Sequence, residues 1–567
     1  MKKRYLCGSL VVLLAGAGVG ACSDPLTVAN QNDPDRTRTF SNPLDLQVFV
    51  SGLYAVAHNA TIGGSNDGLQ TQMYVMSMEN TSGLANFAMG PRGTIPRNPI
   101  TNQRGAQGNL GNLHDFFRGH RAARQAALAI AALKNLDLGS SAAQARANAF
   151  ARFAQGVALG NLSLAYDSAS ILTEFDNPEA DASVIVALSG ERAVNVAALA
   201  YLDSAIAIAR ASPTLTFPLP VQANFWFNGL ATTQAEFIQL ARSYKAIFRA
   251  SVARTPAERA DISQGGIVAW DSVIADANAG ITANFAPQMD RLNGWDVSWY
   301  AQIYAGAQWH QMSQFWLGMA DTSGNYLTYL NAANSARLPF LIVTADKRLP
   351  SGTSRTTQNA ATTTAGQAFD SIPYFRNRPS GSDVSGDPLQ VSMYDFWRGR
   401  QFQQAGRTGR YPVMTAAQIR LLAAEGYLRS ATPNFAEAIN RINVSRNGIG
   451  KLPLIPNTIT DTIAVVPGGN SCTPKVPVMT TPRTLKCGNV WDALKYEYRM
   501  ETAYTGYGTW FFAARGWGDL PEFTATQWPV PYNEMDARSE PFYGFGGPGG
   551  QSAAGPGNYG LFFGGVY

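Results

Sequence analysis

The chain has 567 residues, 46% of them apolar and 11% aromatic, enough to bury a large core. Lysines and arginines number 44 against 39 acids, a formal charge of +5, and three of those cations (Lys2, Lys3, Arg4) fall in the first four residues, so the rest carries +2. That near-neutral balance excludes a protein that works by neutralising a polyanion, and with charged residues at only 15%, against about 25% in typical domains, the surface is expected to be polar-neutral and aromatic.

The opening Met-Lys-Lys-Arg is followed by "YLCGSLVVLLAGAGVGA" and then Cys22, the positive, apolar, small-residue order of a secretory signal. Val19-Gly20-Ala21-Cys22 reads as a bacterial lipobox, with residues 1–21 removed and Cys22 carrying lipid. The apolar run is shorter than the roughly 20 residues of a spanning helix, and nothing after Cys22 is expected to span, which leaves a soluble body on a lipid tether. Cys7 leaves with the signal. Of the remaining thiols, Cys472 and Cys487 are most simply a disulfide in an exported chain, contributing about 3 kcal/mol; two free thiols are the alternative. His58, His114, His120 and His310 form no zinc motif and no calcium-loop run is present, so no metal or other cofactor is expected.

Further along, the 3.6-residue period recurs in helical hairpins. "HRAARQAALAIAALKNL" is followed by the turn residues "DLGSS" and by "RANAFARFAQGVALGNLSLAY", in which Phe150, Phe153, Val157, Gly160 and Leu164 share a face and Gly156 and Gly160 permit close helix contact. Next come "VNVAALAYLDSAIAIARAS", "QAEFIQLARSYKAIFRASV" and the shorter "IVAWDSVIADAN"; "AAQIRLLAAEGYLR" and "FAEAINRINVSR", joined by "SATPN", make the clearest pair. The large-small alternation of Tyr427 and Phe435 with Ala424, Gly426 and Ala438 resembles tetratricopeptide packing. Irregular spacing excludes a regular solenoid. The expected fold is mostly α, with tetratricopeptide-like hairpins, little strand, and long loops at 60–112, 281–410 and 451–490. One domain is expected over 22–540, then a glycine- and aromatic-rich tail, 541–567, whose composition predicts disorder.

The C-terminal third carries "ALKYEYRMETAYTGYGTWFFAARGWGDL" and then "WPVPYNEMD". These resemble the signature of the SusD/RagB family of surface nutrient-binding lipoproteins, with Tyr496, Glu497, Arg499, Glu501 and Gly506 matching its first part, Arg515, Trp517 and Gly518 its second, and Pro531 and Glu534 its closing segment. Asp346, Arg348 and Leu349 in "TADKRLP" resemble its Asp-x-Arg-Leu turn, and the stretch ending in Gly52-Leu53-Tyr54 its first helix. Thr505 and Thr509 replace familiar charged positions, which implies a lost ion pair, and Ser-Asp-Pro after Cys22 has a single acid where an acidic cluster is usual. The resemblance implies a non-enzymatic outer-membrane lipoprotein facing the exterior. It implies four degenerate tetratricopeptide-like pairs, and signature residues that hold the fold. Its role would be to pass a ligand, a glycan or alternatively a peptide, to a SusC-like TonB-dependent barrel.

A glycan site needs aromatic planes flanked by amides and ions. "MDRLNGWDVSWYAQIYAGAQWHQMSQFW" supplies them: Trp295, Trp299 and Tyr300 with Asn293 and Asp296 are candidate ligand contacts, whereas Trp309 and Trp316 are assigned to the core. A second polar stretch offers Asn86, Phe87 and Arg92, flanked by Asn80 and Arg97. In a third, Phe225, Trp226 and Phe227 are consecutive, so one ring is expected to leave the packed face. Two other functions use the same residue types: a secreted glycosidase, which needs only a carboxylate pair, and a helical-repeat envelope scaffold that binds proteins alone. No nucleophile elbow, zinc motif or phosphate loop is present, and no catalytic residue is assigned.

Overall fold

Helices pack on helices in sequence order through most of the chain. The computed structural model describes residues 36–62, 68–82, 92–106, 108–176, 185–218, 225–290, 292, 294–297, 310–361, 368–379 and 392–555. The helices that position the site are α1 (Pro43–Ser51), α2 (Leu53–Ile62), α3 (Leu69–Met76), α4 (Asn109–Leu133), α5 (Ser141–Ala165) and α6 (Glu191–Arg210). They continue with α7 (Gln234–Ser251), α8 (Trp270–Asn278), α9 (Ala416–Arg429), α10 (Phe435–Arg446), α11 (Val490–Thr502) and α12 (Thr509–Trp517). Each of α4 through α10 packs on the next. The strands among the described residues are short and form two-stranded antiparallel pairs.

The helix boundaries follow from capping. Gly139 takes a left-handed φ of 82° at the α4–α5 turn, and Ser140 then accepts from the Ala143 N–H to start α5. Thr233 and Glu236 close a capping box at α7, Thr415 caps α9 and Asn434 caps α10, each satisfying N–H groups with no partner inside the helix. The predicted small-residue contacts are present: a Cβ at Gly156 would lie 2.7 Å from Leu202 Cγ of α6, and one at Gly160 would run into the Phe248 ring of α7.

α6 corrects the expectation that nothing after the signal is long and apolar enough to cross a membrane, since its 20 residues meet that test by length and composition. One face of it, with Val194, Ala198, Leu202 and Ala209, belongs to the protein core, and Arg192 and Asp203 are exposed on the other. It is an amphipathic core helix.

Two further expectations change. The 281–410 stretch, read as loop, instead builds a second core: Phe315, Trp316, Tyr326, Phe340, Phe375 and Phe396 cluster with Tyr496 and Trp510. Large apolar rings spaced without helical or strand period hide this core from a periodicity analysis. The tail is not disordered over 541–555: Phe545 pairs with Ile100, Ala553 with Ala525, and the Tyr543 hydroxyl donates to Asp167 Oδ2 at 2.9 Å. Glycines set its turns, while its rings and backbone dock on the body.

The two signature motifs, about 150 residues apart, meet in one buried ion cluster. Arg348 Nη2 lies 2.7 Å from Asp346, and its Nη1 lies 2.6 Å from Glu497 and 3.2 Å from Glu501. Tyr496 donates to Asp346 at 2.8 Å and Tyr374 to Glu501 at 3.1 Å. The four charged side chains are buried, so this cluster joins α11 to the second core and is closed to a ligand. Arg515 is also buried but meets no carboxylate among the described residues; it donates to the Thr526 and Ser251 carbonyls at 2.7 and 2.8 Å. Cys472 and Cys487 are joined as a disulfide with Cα atoms 5.8 Å apart, clasping the Lys475–Val478 and Thr484–Cys487 hairpin.

Candidate functional site

The three candidate stretches converge. Asn80–Ser82 pairs antiparallel with His310–Met312, with Ser82 opposite His310, so the segments continuing at 83 and ending at 309 leave from the same strand pair. The Gln288 N–H donates to the Asn228 carbonyl at 2.8 Å, which sets the third stretch against the strand Gln288–Asp290 that precedes Trp295. Cys22, Asn86, Phe87, Asn293, Trp299 and Tyr300 lie outside the described residues.

Trp295 is a core residue, not an exposed platform. It is 0% exposed, its ring centroid lies 5.3 Å from that of His58 and 5.8 Å from that of Tyr54, and its Nε1 has no hydrogen-bond partner among the described residues. The cause is a tight reversal: Gly294 has φ 79° and the Asp290 N–H donates to the Trp295 carbonyl at 2.6 Å, turning the ring inward. Asp296 is half-buried, 3.4 Å from Arg407 Nη1, and its carbonyl accepts from His58 Nε2 at 2.7 Å.

Arg92 likewise leaves the candidate set. It is buried, donating from Nε to Gln72 Oε1 at 2.9 Å, and burial brings its guanidinium down to about 10. Arg97 donates to the Val75 and Met76 carbonyls at 3.2 and 3.3 Å, satisfying acceptors at the end of α3 that the helix itself cannot. A polar sequence here serves buried backbone. The triple-aromatic stretch also turns inward: left-handed φ values of 52° at Trp226 and 36° at Asn228 twist the chain, so Trp226 meets Phe150 at 4.9 Å and Phe227 meets Phe150 at 5.2 Å, with Phe225 half-buried on the same core.

Close to Trp295 a cleft opens between α2, α3, α5, α7 and the segments 411–414 and 504–509. Six tyrosines line it: Tyr54, Tyr74, Tyr244, Tyr411, Tyr504 and Tyr507. Their hydroxyls are held internally. Tyr54 and Tyr244 share a hydrogen bond of 2.7 Å, Gln70 Nε2 donates to Tyr74 at 2.7 Å, Tyr411 donates to the Tyr504 carbonyl at 3.2 Å, and Tyr507 donates to Asp115 at 2.8 Å. Left-handed conformations at Tyr504, Gly506 and Gly508, with φ of 54°, 66° and 57°, bend that segment against the cleft. The Tyr504 N–H is fixed by Glu79 Oε1 at 2.6 Å, and burial pushes the Glu79 carboxyl up to about 8.

Among the described residues the lining contains no lysine, arginine, aspartate or glutamate. Its one histidine, His58, is brought down to about 4 by burial, against a smaller upward pull from the Asp296 carbonyl, and is neutral at neutral pH. The cleft therefore offers aromatic faces, the amides of Gln70, Asn161 and Gln418, and no charge. Sequence patterning missed it because its walls come from residues 54 to 509; the Tyr-x-Gly-Tyr-Gly run at 504–508 was its one local sign. No group of histidine, cysteine and acid placed to hold a metal is found among the described residues.

No family model matches the chain and no curated protein matches it in sequence. Among solved structures, a SusD superfamily protein from Bacteroides thetaiotaomicron VPI-5482 superposes with a TM-score of 0.52 at 10% identity, over 88% of this chain and 99% of that one. A SusD superfamily protein from Bacteroides vulgatus ATCC 8482 superposes with a TM-score of 0.48 at 12% identity, over 85% of this chain and 89% of that one. A laminarin-binding SusD-like protein gives 0.46 at 12%, over 89% and 99%; these last two are too distant to carry weight. The element order, the helical body and the first of these superpositions agree: the chain has the SusD-like fold.

Proposed function

We propose that this chain is a SusD/RagB-family lipoprotein, anchored through Cys22 at the outer membrane. It binds a nutrient glycan and delivers it to a TonB-dependent barrel. The observation that carries this reading is the charge-free, tyrosine-lined cleft beside the point where two aromatic- and amide-bearing segments leave one strand pair. Aromatic planes with amides suit the C–H faces and hydroxyls of sugar rings. Asn86, Phe87, Asn293, Asp296, Trp299 and Tyr300 are proposed as outer ligand contacts.

The test is calorimetric titration of the mature chain with neutral oligosaccharides, followed by mass spectrometry of the recovered ligand. Saturable binding with the sugar recovered intact is expected. Shortened products would replace this reading with a glycosidase, and an absence of binding across a broad glycan panel would favour a protein-binding scaffold.

A further inference from the structure

The ligand-binding reading above is the footing for a more specific one, centred on α5. The buried face of that helix is apolar, with Phe150, Phe153, Val157 and Leu164 in the core, and Asn161 interrupts it near the C-terminal end. Asparagine is a poor residue for a helix interior because its amide competes for nearby backbone groups. Here the amide makes no such bond: it has no hydrogen-bond partner among the described residues, and it is half-buried. It also stands where two cavities meet. The tyrosine-lined cleft and a smaller neighbouring cavity, whose lining includes Asp115, share Thr61, Asn161 and Tyr507. The tyrosine hydroxyls around it are already engaged with one another, with Gln70 or with Asp115. Asn161 thus keeps two N–H donors and a carbonyl acceptor for whatever enters.

A group that both donates and accepts answers that set, and a hydroxyl is the simplest. A carboxylate entering the cleft would lose hydration and find no counter-ion on its walls, while Asp115, in the lining of the smaller cavity, would repel it. We infer that Asn161 is a specificity-determining residue: it hydrogen-bonds a hydroxyl on an uncharged end of the ligand seated among the tyrosines, and the cleft rejects the same ligand when that end carries a carboxylate.

The probes are neutral gluco- and xylo-oligosaccharides and uronic-acid oligosaccharides of matched length, titrated into the mature wild-type chain and into Asn161→Ala, Asn161→Ser and Asn161→Asp. The expected result is binding of at least one neutral probe. Asn161→Ala should weaken it ten-fold or more, Asn161→Asp at least as much, and Asn161→Ser, which keeps a hydroxyl, less. Thermal melting of the three variants should stay near wild type, since the side chain holds nothing else. Uronic-acid probes should bind at least ten-fold more weakly than their neutral counterparts. Equal affinity of wild type and Asn161→Ala for a neutral probe that binds would overturn the inference and leave the glycan reading standing. Equal affinity for charged and neutral probes would also overturn it. Binding of no oligosaccharide at all would remove both.

Discussion

Glu79 is a buried acid with one strong donor, the Tyr504 N–H, and its carboxyl is pushed up to about 8 by burial. An ordinary glutamate in the unfolded chain releases its proton near pH 4.5, so the folded state binds the extra proton between about 4.5 and 8. The stability associated with Glu79 is then fully present below 4.5 and lost as pH rises through 8. Glu79→Gln keeps an acceptor for Tyr504 and removes the titration. Denaturation followed against pH should show the variant gaining on wild type from about pH 4.5 to 8 and holding a constant advantage above; a pH-independent difference would show that Glu79 is not titrating there. Trp295 offers a second test at this scale. Fully buried against Tyr54 and His58, its truncation to alanine should cost about 3–5 kcal/mol, seen as a large fall in melting temperature. A ligand platform exposed to solvent would tolerate the change. The local sequence, Asn-Gly-Trp-Asp, favours exposure, and only the turn that bonds Asp290 to Trp295 reverses that expectation. Arg92 and Arg97 mislead in the same way, because a charged side chain that serves buried carbonyls has the same local sequence as one facing solvent.

The helices were legible where period and punctuation coincide. Gly139-Ser140 and Asn434, in the turns read between helices, mark starts that the structure uses, and Gly156 and Gly160 mark close helix approaches. Gly160→Val should therefore destabilise by roughly 1–3 kcal/mol or more through overpacking, since the Phe248 ring occupies the space a side chain would need. Gly190→Ala, where nothing lies within 4 Å, should change stability by only about 0.5 kcal/mol; chemical denaturation of the pair checks both, and equal costs would mean α5 and α7 do not interlock at Gly160. What periodicity could not deliver is the 281–410 stretch. Its elements are short, and its rings are buried by partners far along the chain, Tyr496 and Trp510 among them. The tail was misjudged for a related reason: composition records the glycines, whereas order over 541–555 comes from docking on Ile100, Asp167 and Ala525.

At the scale of the whole molecule, weak motifs gained their meaning from order. Asp346-x-Arg348 and Tyr496-Glu497 through Glu501 are unremarkable apart, yet the fold sets them around one buried guanidinium, and their sequence order was enough to indicate the fold. The cleft was not legible, because no local pattern reports that α2, α3, α5 and α7 meet the 504–509 segment. Fold and cleft together are the footing of the proposed binding role, and the proposed uptake role adds the membrane partner. The measurement that tests that role most directly is co-purification of the tagged, full-length chain from detergent-extracted outer membranes, with mass spectrometry of what accompanies it. The account predicts a TonB-dependent barrel in stoichiometric amount. Recovery of the chain alone, under extraction that keeps other membrane complexes intact, would contradict it.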